Sequence, residues 1–150
     1  VPVYRVASGD RAIRLADPPG DCFAVANGDS FCPLSFEDLV SFHATRRAIA
    51  TLAVTEVPDR SRFGSVETAA DGAIVGFVEK GPGGRGLVNA GIYILTRPVL
   101  DRIPVGIVSL EHDIFPRLLG EGLYAYRTPA RMIDIGTPES LEELRRRGME

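Results

Sequence analysis

Residues 22–31 read Cys-Phe-Ala-Val-Ala-Asn-Gly-Asp-Ser-Phe, CFAVANGDSF. Cys22 to Ala26 is a short apolar run, and it ends abruptly at Asn27-Gly28-Asp29. A run with no polar alternation fits a strand covered on both faces, as in the interior of a parallel sheet, better than a half-solvated one. The stretch therefore predicts a central strand whose carboxyl end delivers an aspartate into a turn. Asp29 then has two readings: it closes an Asx-turn locally, or it faces a ligand. In open α/β sheets ligands sit beyond the carboxyl ends of the strands, where loops converge.

Working outward, Ser35-Phe-Glu-Asp38 has the form of a helix N-cap with an acid three residues on, and Phe36, Leu39, Val40 and His43 follow at helical spacing. Ile49 to Val54 predicts a second strand. Gly64 to Thr68 and Ala73 to Val78 predict a hairpin about Asp71-Gly72, a type I′ signal. Leu87 to Leu95 is a further apolar strand, Pro98 to Ile103 a short helix, and Ser109 opens a longer helix through Leu119 that stops at Gly120. Leu123 to Tyr126 and Arg131 to Ile135 predict strands. Thr137-Pro138-Glu139 begins a last helix, with Leu141 and Leu144 inward and Arg145 to Arg147 at the negative end of its dipole. Interleaved strands and helices with one inserted hairpin imply an α/β sandwich on a mixed sheet.

With 150 residues and 45% hydrophobic content, the chain is sized for one domain with its own core. A net charge of -3, with no dense Lys/Arg stripe, points away from a nucleic-acid polymer. Cys22 and Cys32 match neither a zinc ribbon nor a disulfide framework, so a reducing, cytoplasmic setting is expected. No apolar run approaches the roughly twenty residues that span a bilayer, so no membrane partner is expected. The chain starts at Val1, in a strand-like Val-Pro-Val-Tyr-Arg-Val, which predicts that further sequence precedes it.

A second place shares the anatomy of Asp29. Met132-Ile133 leads into Asp134-Ile135-Gly136-Thr137-Pro138, an acid at a strand end followed by a helix start. Two aspartates so placed could share a hard cation, since Mg²⁺ takes one or two carboxylates and completes its shell with water and phosphate oxygens. The alternative is that Asp134 serves only the helix start.

Taken in order, VANGDSF, RFGSVE, GFVEK, LVNAGIYIL, VSLEHDIFPRLL and MIDIGTPESL resemble the sugar-1-phosphate nucleotidylyltransferases, also called NDP-sugar pyrophosphorylases, over about Phe23 to Leu144. The Ser-Leu-Glu before FPRLL is most similar to the mannose- and heptose-1-phosphate guanylyltransferase branch. The resemblance implies a Rossmann-like three-layer sandwich with a mixed, mainly parallel sheet. It also implies transfer of a nucleotidyl group from a nucleoside triphosphate to a sugar 1-phosphate, releasing pyrophosphate, with Mg²⁺. By the same resemblance Asp29 and Asp134 are the metal ligands, Glu79 binds sugar hydroxyls and Lys80 the sugar phosphate. Asn89 and Gly91 contact sugar hydroxyls, and Gly64 lies against the sugar. Asn27 and Gly28 turn the chain so that Asp29 meets the metal.

Each of these has a plainer counterpart: an exposed Glu-Lys pair at a hairpin end, one buried Asn in a core strand, a turn glycine. Gly81 to Gly86 fits G-x-G-x-x-G but precedes an apolar run rather than a helix, so it is expected to be a loop. His43 and His112 are expected to be satisfied or solvated, and no base accompanies Ser30 or Ser109. The family's glycine-rich, triphosphate-wrapping loop has no counterpart, and its Gly-Thr-Gly-like turn is met only in part by Ala7-Ser8-Gly9-Asp10-Arg11-Ala12. Residues 1–150 are thus expected to be one nucleotidyltransferase domain lacking its N-terminal nucleotide-binding segment, with activity of the chain by itself and self-association both open. A non-catalytic relative that binds a sugar phosphate or nucleotide sugar is the alternative, and a dinucleotide-binding domain is a third.

Overall fold

A computed structural model describes residues 3–6, 20–81, 83–104 and 108–147. The stretch from Ala7 to Ala12 lies outside the described residues. The apolar run is strand β2 (Cys22–Asn27), and it sits inside the sheet, between β1 (Val3–Val6) and β7 (Gly86–Thr96). The sheet continues to β4 (Ala50–Val57) and β8 (Leu123–Arg127), giving the order β1-β2-β7-β4-β8. β1, β2, β4 and β8 run in one direction, and β7 runs against both of its neighbours. The sheet is therefore mixed, with most of its main strands parallel in direction.

Alternate side chains of these strands face opposite layers. Phe23, Val25, Leu52, Val54, Tyr93 and Leu95 pack with Val99, Ile114, Phe115 and Leu118 in the main core. Ala24 and Ile94 point the other way, onto Leu39 of α1 (Phe36–Arg46). Because both faces are covered, the strands carry apolar residues without alternation, and each fully buried Phe or Leu contributes about 1.5–3 kcal/mol. Helix α1 begins where the cap predicts: Ser35 Oγ accepts from the Asp38 amide at 3.2 Å. His43 on its inner face is buried, and its Nδ1 lies 2.8 Å from Thr51 Oγ1. Burial holds its pKa below the ordinary histidine value.

Three local expectations are corrected. The hairpin of β5 (Ser65–Thr68) and β6 (Ile74–Val78) does not turn through type I′, which needs positive φ at both central residues. Only Gly72 has it (φ 88°), and its amide donates to Ala69 O at 3.0 Å, the mark of a longer connection ending in a left-handed glycine. Gly72 O in turn accepts from Ala125 N at 2.9 Å, so the hairpin tip caps the free edge of β8.

Ser109 does cap a turn, accepting from the His112 amide at 3.1 Å, but no long helix follows. Leu110–Ile114 forms one wide turn closed by the Phe115 amide on Leu110 O, and Phe115–Leu118 a tight one. Pro116 has no amide to continue an α-helix, and its ring crowds the carbonyl four residues back. The Arg131–Ile135 strand shrinks to β9 (Ile133–Asp134), paired antiparallel with a strand the sequence did not announce, β3 (Ser30–Phe31). Two short helices complete the described chain, α2 (Arg97–Leu100) and α3 (Pro138–Arg147), the latter with Leu144 buried and Leu141 half-buried. No helix among the described residues is long and apolar enough to cross a membrane.

Candidate active site

The cleft begins as a gap in the sheet. β4 lines one side of β7 from Ala50↔Leu95 to Val57↔Gly86. On the opposite side β2 is paired only as far as Ala26↔Ile92, and β5 resumes at Ser65↔Val88. Asn89 to Gly91 therefore has no paired strand on that side among the described residues. The gap opens into a cleft of about 650 Å³, lined by Asn27, Asp29 and Ser30 on one flank and by Arg62, Gly64, Glu79 and Lys80 on the other. Gly91 is at φ 74°, and a Cβ there would stand 3.1 Å from Asn27 Cβ and 3.2 Å from Ser30 Cβ. Glycine is what allows the turn after β2 to close onto β7.

Asp29 and Asp134 meet at one end. The β3–β9 pairing sets Ser30 opposite Asp134, and the Ile135 amide donates to Asp29 O at 2.8 Å. A Cβ placed on Gly136 would lie 3.0 Å from Asp134 Oδ1 and 3.8 Å from Asp29 Cβ, so both side chains border the same small space. Each is engaged locally through one oxygen only, among the described residues. Thr137 caps α3, its Oγ1 accepting from the Ser140 amide at 3.2 Å, while Asp134 takes only the Gly136 amide at 2.9 Å. Asp29 Oδ1 accepts from Ser30 Oγ at 3.4 Å. Two half-open carboxylates that keep free oxygens fit a hard cation completed by water and phosphate. No cluster of three or more His, Cys, Asp or Glu side chains joins them among the described residues.

Glu79 and Lys80 follow β6, which pairs with β5 alone and leaves Val75 58% exposed, so its apolar composition does not mark an interior strand. Both side chains are exposed and line the cleft, and among the described residues no carboxylate pairs with Lys80 or Arg62. Asn27, Gly64 and Asn89 line the same cleft. Gly28 and Gly91 are not among its lining residues, and Gly28 is not at positive φ, so the turn does not depend on a left-handed glycine there.

Sequence reasoning passed over Glu111. Its Oε1 accepts from Tyr93 OH at 2.6 Å and from Asn89 Nδ2 at 2.8 Å, with Asn27 Nδ2 at 3.4 Å. Burial first, then the adjacent Glu111 carboxylate, pushes the Tyr93 hydroxyl well above its ordinary pKa. The signal was present: Asn89 and Tyr93 share one face of an otherwise apolar strand, and a half-buried amide there requires a partner.

A profile of the Nucleotidyl transferase family matches residues 7–148. The chain belongs to the nucleotidyl transferase family. It is 43% identical over 129 residues to a probable mannose-1-phosphate guanylyltransferase 3 of Arabidopsis thaliana, covering 84% of this chain and 39% of that protein. It is 39% identical over 124 residues to mannose-1-phosphate guanylyltransferase of Mycobacterium tuberculosis, covering 79% and 34%. Among solved structures, HddC from Yersinia pseudotuberculosis superposes with TM-score 0.71 at 32% identity, covering 83% of this chain and 54% of that one. HddC complexed with GMP-PN gives TM-score 0.69 at 31% identity. The chain thus spans little more than a third of the length of the curated relatives it matches. Gly81 to Gly86 runs directly into β7 with no helix after it, which leaves a dinucleotide-binding turn without its helix.

Proposed function

We propose that the chain is the metal- and sugar-phosphate-binding portion of a sugar-1-phosphate guanylyltransferase, joining a sugar 1-phosphate to the nucleotidyl group of GTP with release of pyrophosphate. The observation that carries this is the convergence of Asp29, Asp134 and Lys80, from three separate parts of the sequence, on one cleft beside a break in the sheet. Asp29 and Asp134 would hold the Mg²⁺. Bound there, the ion would supply Lewis-acid stabilisation of the charge that develops on the phosphoryl oxygens.

The chain's own groups do the remainder. Lys80, a mobile point charge without a partner among the described residues, draws the sugar phosphate and offsets its repulsion from the triphosphate. Glu79 beside it accepts from sugar hydroxyls, Asn27 completes the polar flank, and Gly64 lets the ring approach the backbone. Asn89 and Gly91 act from beneath, by shaping the cleft floor. An already ionised phosphate is the nucleophile, so no histidine base is required, which agrees with the buried, bonded state of His43. Two free thiols suit a cytoplasmic setting. GDP-mannose and GDP-heptose types of product are both compatible with this site.

The test is pyrophosphate release from GTP and mannose 1-phosphate in the presence of Mg²⁺, using the longest product of the gene that encodes this chain. Release that depends on Asp29 supports the proposal. Binding of mannose 1-phosphate without release would indicate a non-catalytic relative.

A further inference from the structure

We infer that Glu111 is a specificity-determining residue that accepts a hydrogen bond from a sugar hydroxyl, and that Asn89 and Tyr93 are positioning residues acting through it. This rests on the sugar-phosphate reading of the cleft. An amide side chain offers two N–H donors and one carbonyl oxygen. Asn89 gives its donors to Glu111 Oε1 and Tyr93 OH, each at 2.8 Å, and its Oδ1 accepts from the Gly91 amide at 2.9 Å. The Gly91 bond fixes which end of the amide faces which way. No donor of Asn89 is left for a ligand.

Glu111 is in the opposite condition. Three donors converge on Oε1, while Oε2 has no partner among the described residues and the side chain lines the cleft. Three bonds on one oxygen fix the carboxylate plane and leave Oε2 as the oxygen free for a ligand. A fixed, strong acceptor at the floor of a sugar-sized cavity discriminates among sugars, because a ligand with no hydroxyl at that point leaves the carboxylate oxygen unpaired. Tyr93 cannot make this contact itself, since it is 1% exposed and its proton is already given to Glu111.

Glu111→Gln preserves size. The same donors hold the Gln oxygen inward and so turn its Nε2 donors to the cleft, replacing an acceptor with a donor. The experiment is calorimetric binding to the full chain, with Mg²⁺, of mannose 1-phosphate, of its monodeoxy analogues at C2, C3, C4 and C6, and of inorganic phosphate.

The wild-type chain is expected to lose about 10- to 100-fold in affinity for one of these analogues. Glu111→Gln is expected to lose a similar factor for mannose 1-phosphate, no further factor for that analogue, and nothing for inorganic phosphate. Tyr93→Phe, which keeps the bond from Asn89 to Glu111, should show a smaller loss at the same ring position. Equal losses of Glu111→Gln on every analogue and on phosphate, or wild-type affinity for mannose 1-phosphate, would overturn the assignment. Failure of the wild-type chain to bind mannose 1-phosphate while it binds phosphate would overturn the sugar-phosphate reading and the assignment together.

Discussion

On the floor of the cleft, Asn89, Tyr93 and Glu111 Oε1 are joined by hydrogen bonds to one another, while on its rim Asp134, Glu79 and Lys80 are exposed and Asp29 half-exposed. The floor is anchored on a long interior strand and a buried aromatic; Tyr93 also packs edge-on against Phe115, with centroids 5.1 Å apart. The rim is carried on turns, two-residue strands and the end of an edge strand. A buried polar group left unsatisfied costs about 1–3 kcal/mol, so the floor is rigid where Tyr93, Asn89 and Glu111 Oε1 satisfy one another, and open, among the described residues, only at Glu111 Oε2. Exposed charges escape that cost and stay available for a polyanion. On the proposed reading, the floor would recognise the sugar and the rim would handle charge.

The largest effects should come from the rim, in chemistry rather than stability. Asp29→Asn and Asp134→Asn should each lower kcat for pyrophosphate release by about a thousandfold or more, because a neutral amide ligates Mg²⁺ poorly. Their thermal midpoints should stay close to wild type, since neither side chain is buried. A large fall in midpoint with activity per folded molecule intact would break the division. Lys80→Ala should raise KM for the sugar phosphate by about 10- to 100-fold and move kcat less, with unchanged urea stability. A fall in kcat at constant KM would place Lys80 on the wrong substrate group.

The floor should respond the other way. Tyr93→Phe removes a donor from Glu111 inside the core and should cost about 1–3 kcal/mol in urea unfolding. No measurable cost would show that the network is ornamental to the fold. The smallest effect belongs to a polar group remote from both regions. His43 is held below the ordinary histidine pKa by burial, so on acidification the unfolded chain takes up its proton first. Its contribution is complete above the unfolded value of about 6.5 and is lost as pH falls below it. Wild-type urea midpoints should therefore drop more steeply than those of His43→Gln in that acidic range.

Much of this was legible in the sequence where a residue's type is dictated by its neighbours along the chain. The apolar run into Asn27-Gly28-Asp29 gave a buried strand end, Ser35 a helix start, and Thr137-Pro138 another. Asp29 and Asp134 could be paired because each stood at a strand end before a turn. What could not be read depends on partners distant in sequence. The gap opposite Asn89 to Gly91 exists because β2 and β5 approach β7 from opposite ends, and no local pattern encodes that spacing. Glu111 meets Tyr93 and Asn27 only in the folded chain. Pro116 was visible, and its missing amide is a local reason why the helix expected from Ser109 to Leu119 breaks into two turns.

On the proposed reading, Asp29 and Asp134, far apart along the chain, would hold one magnesium ion jointly at the rim. Mn²⁺ binding to the full chain in the presence of mannose 1-phosphate, followed by water-proton relaxation, tests this most directly. A single Mn²⁺ site lost alike in Asp29→Asn and in Asp134→Asn is the expected result. Wild-type affinity in either variant would contradict it.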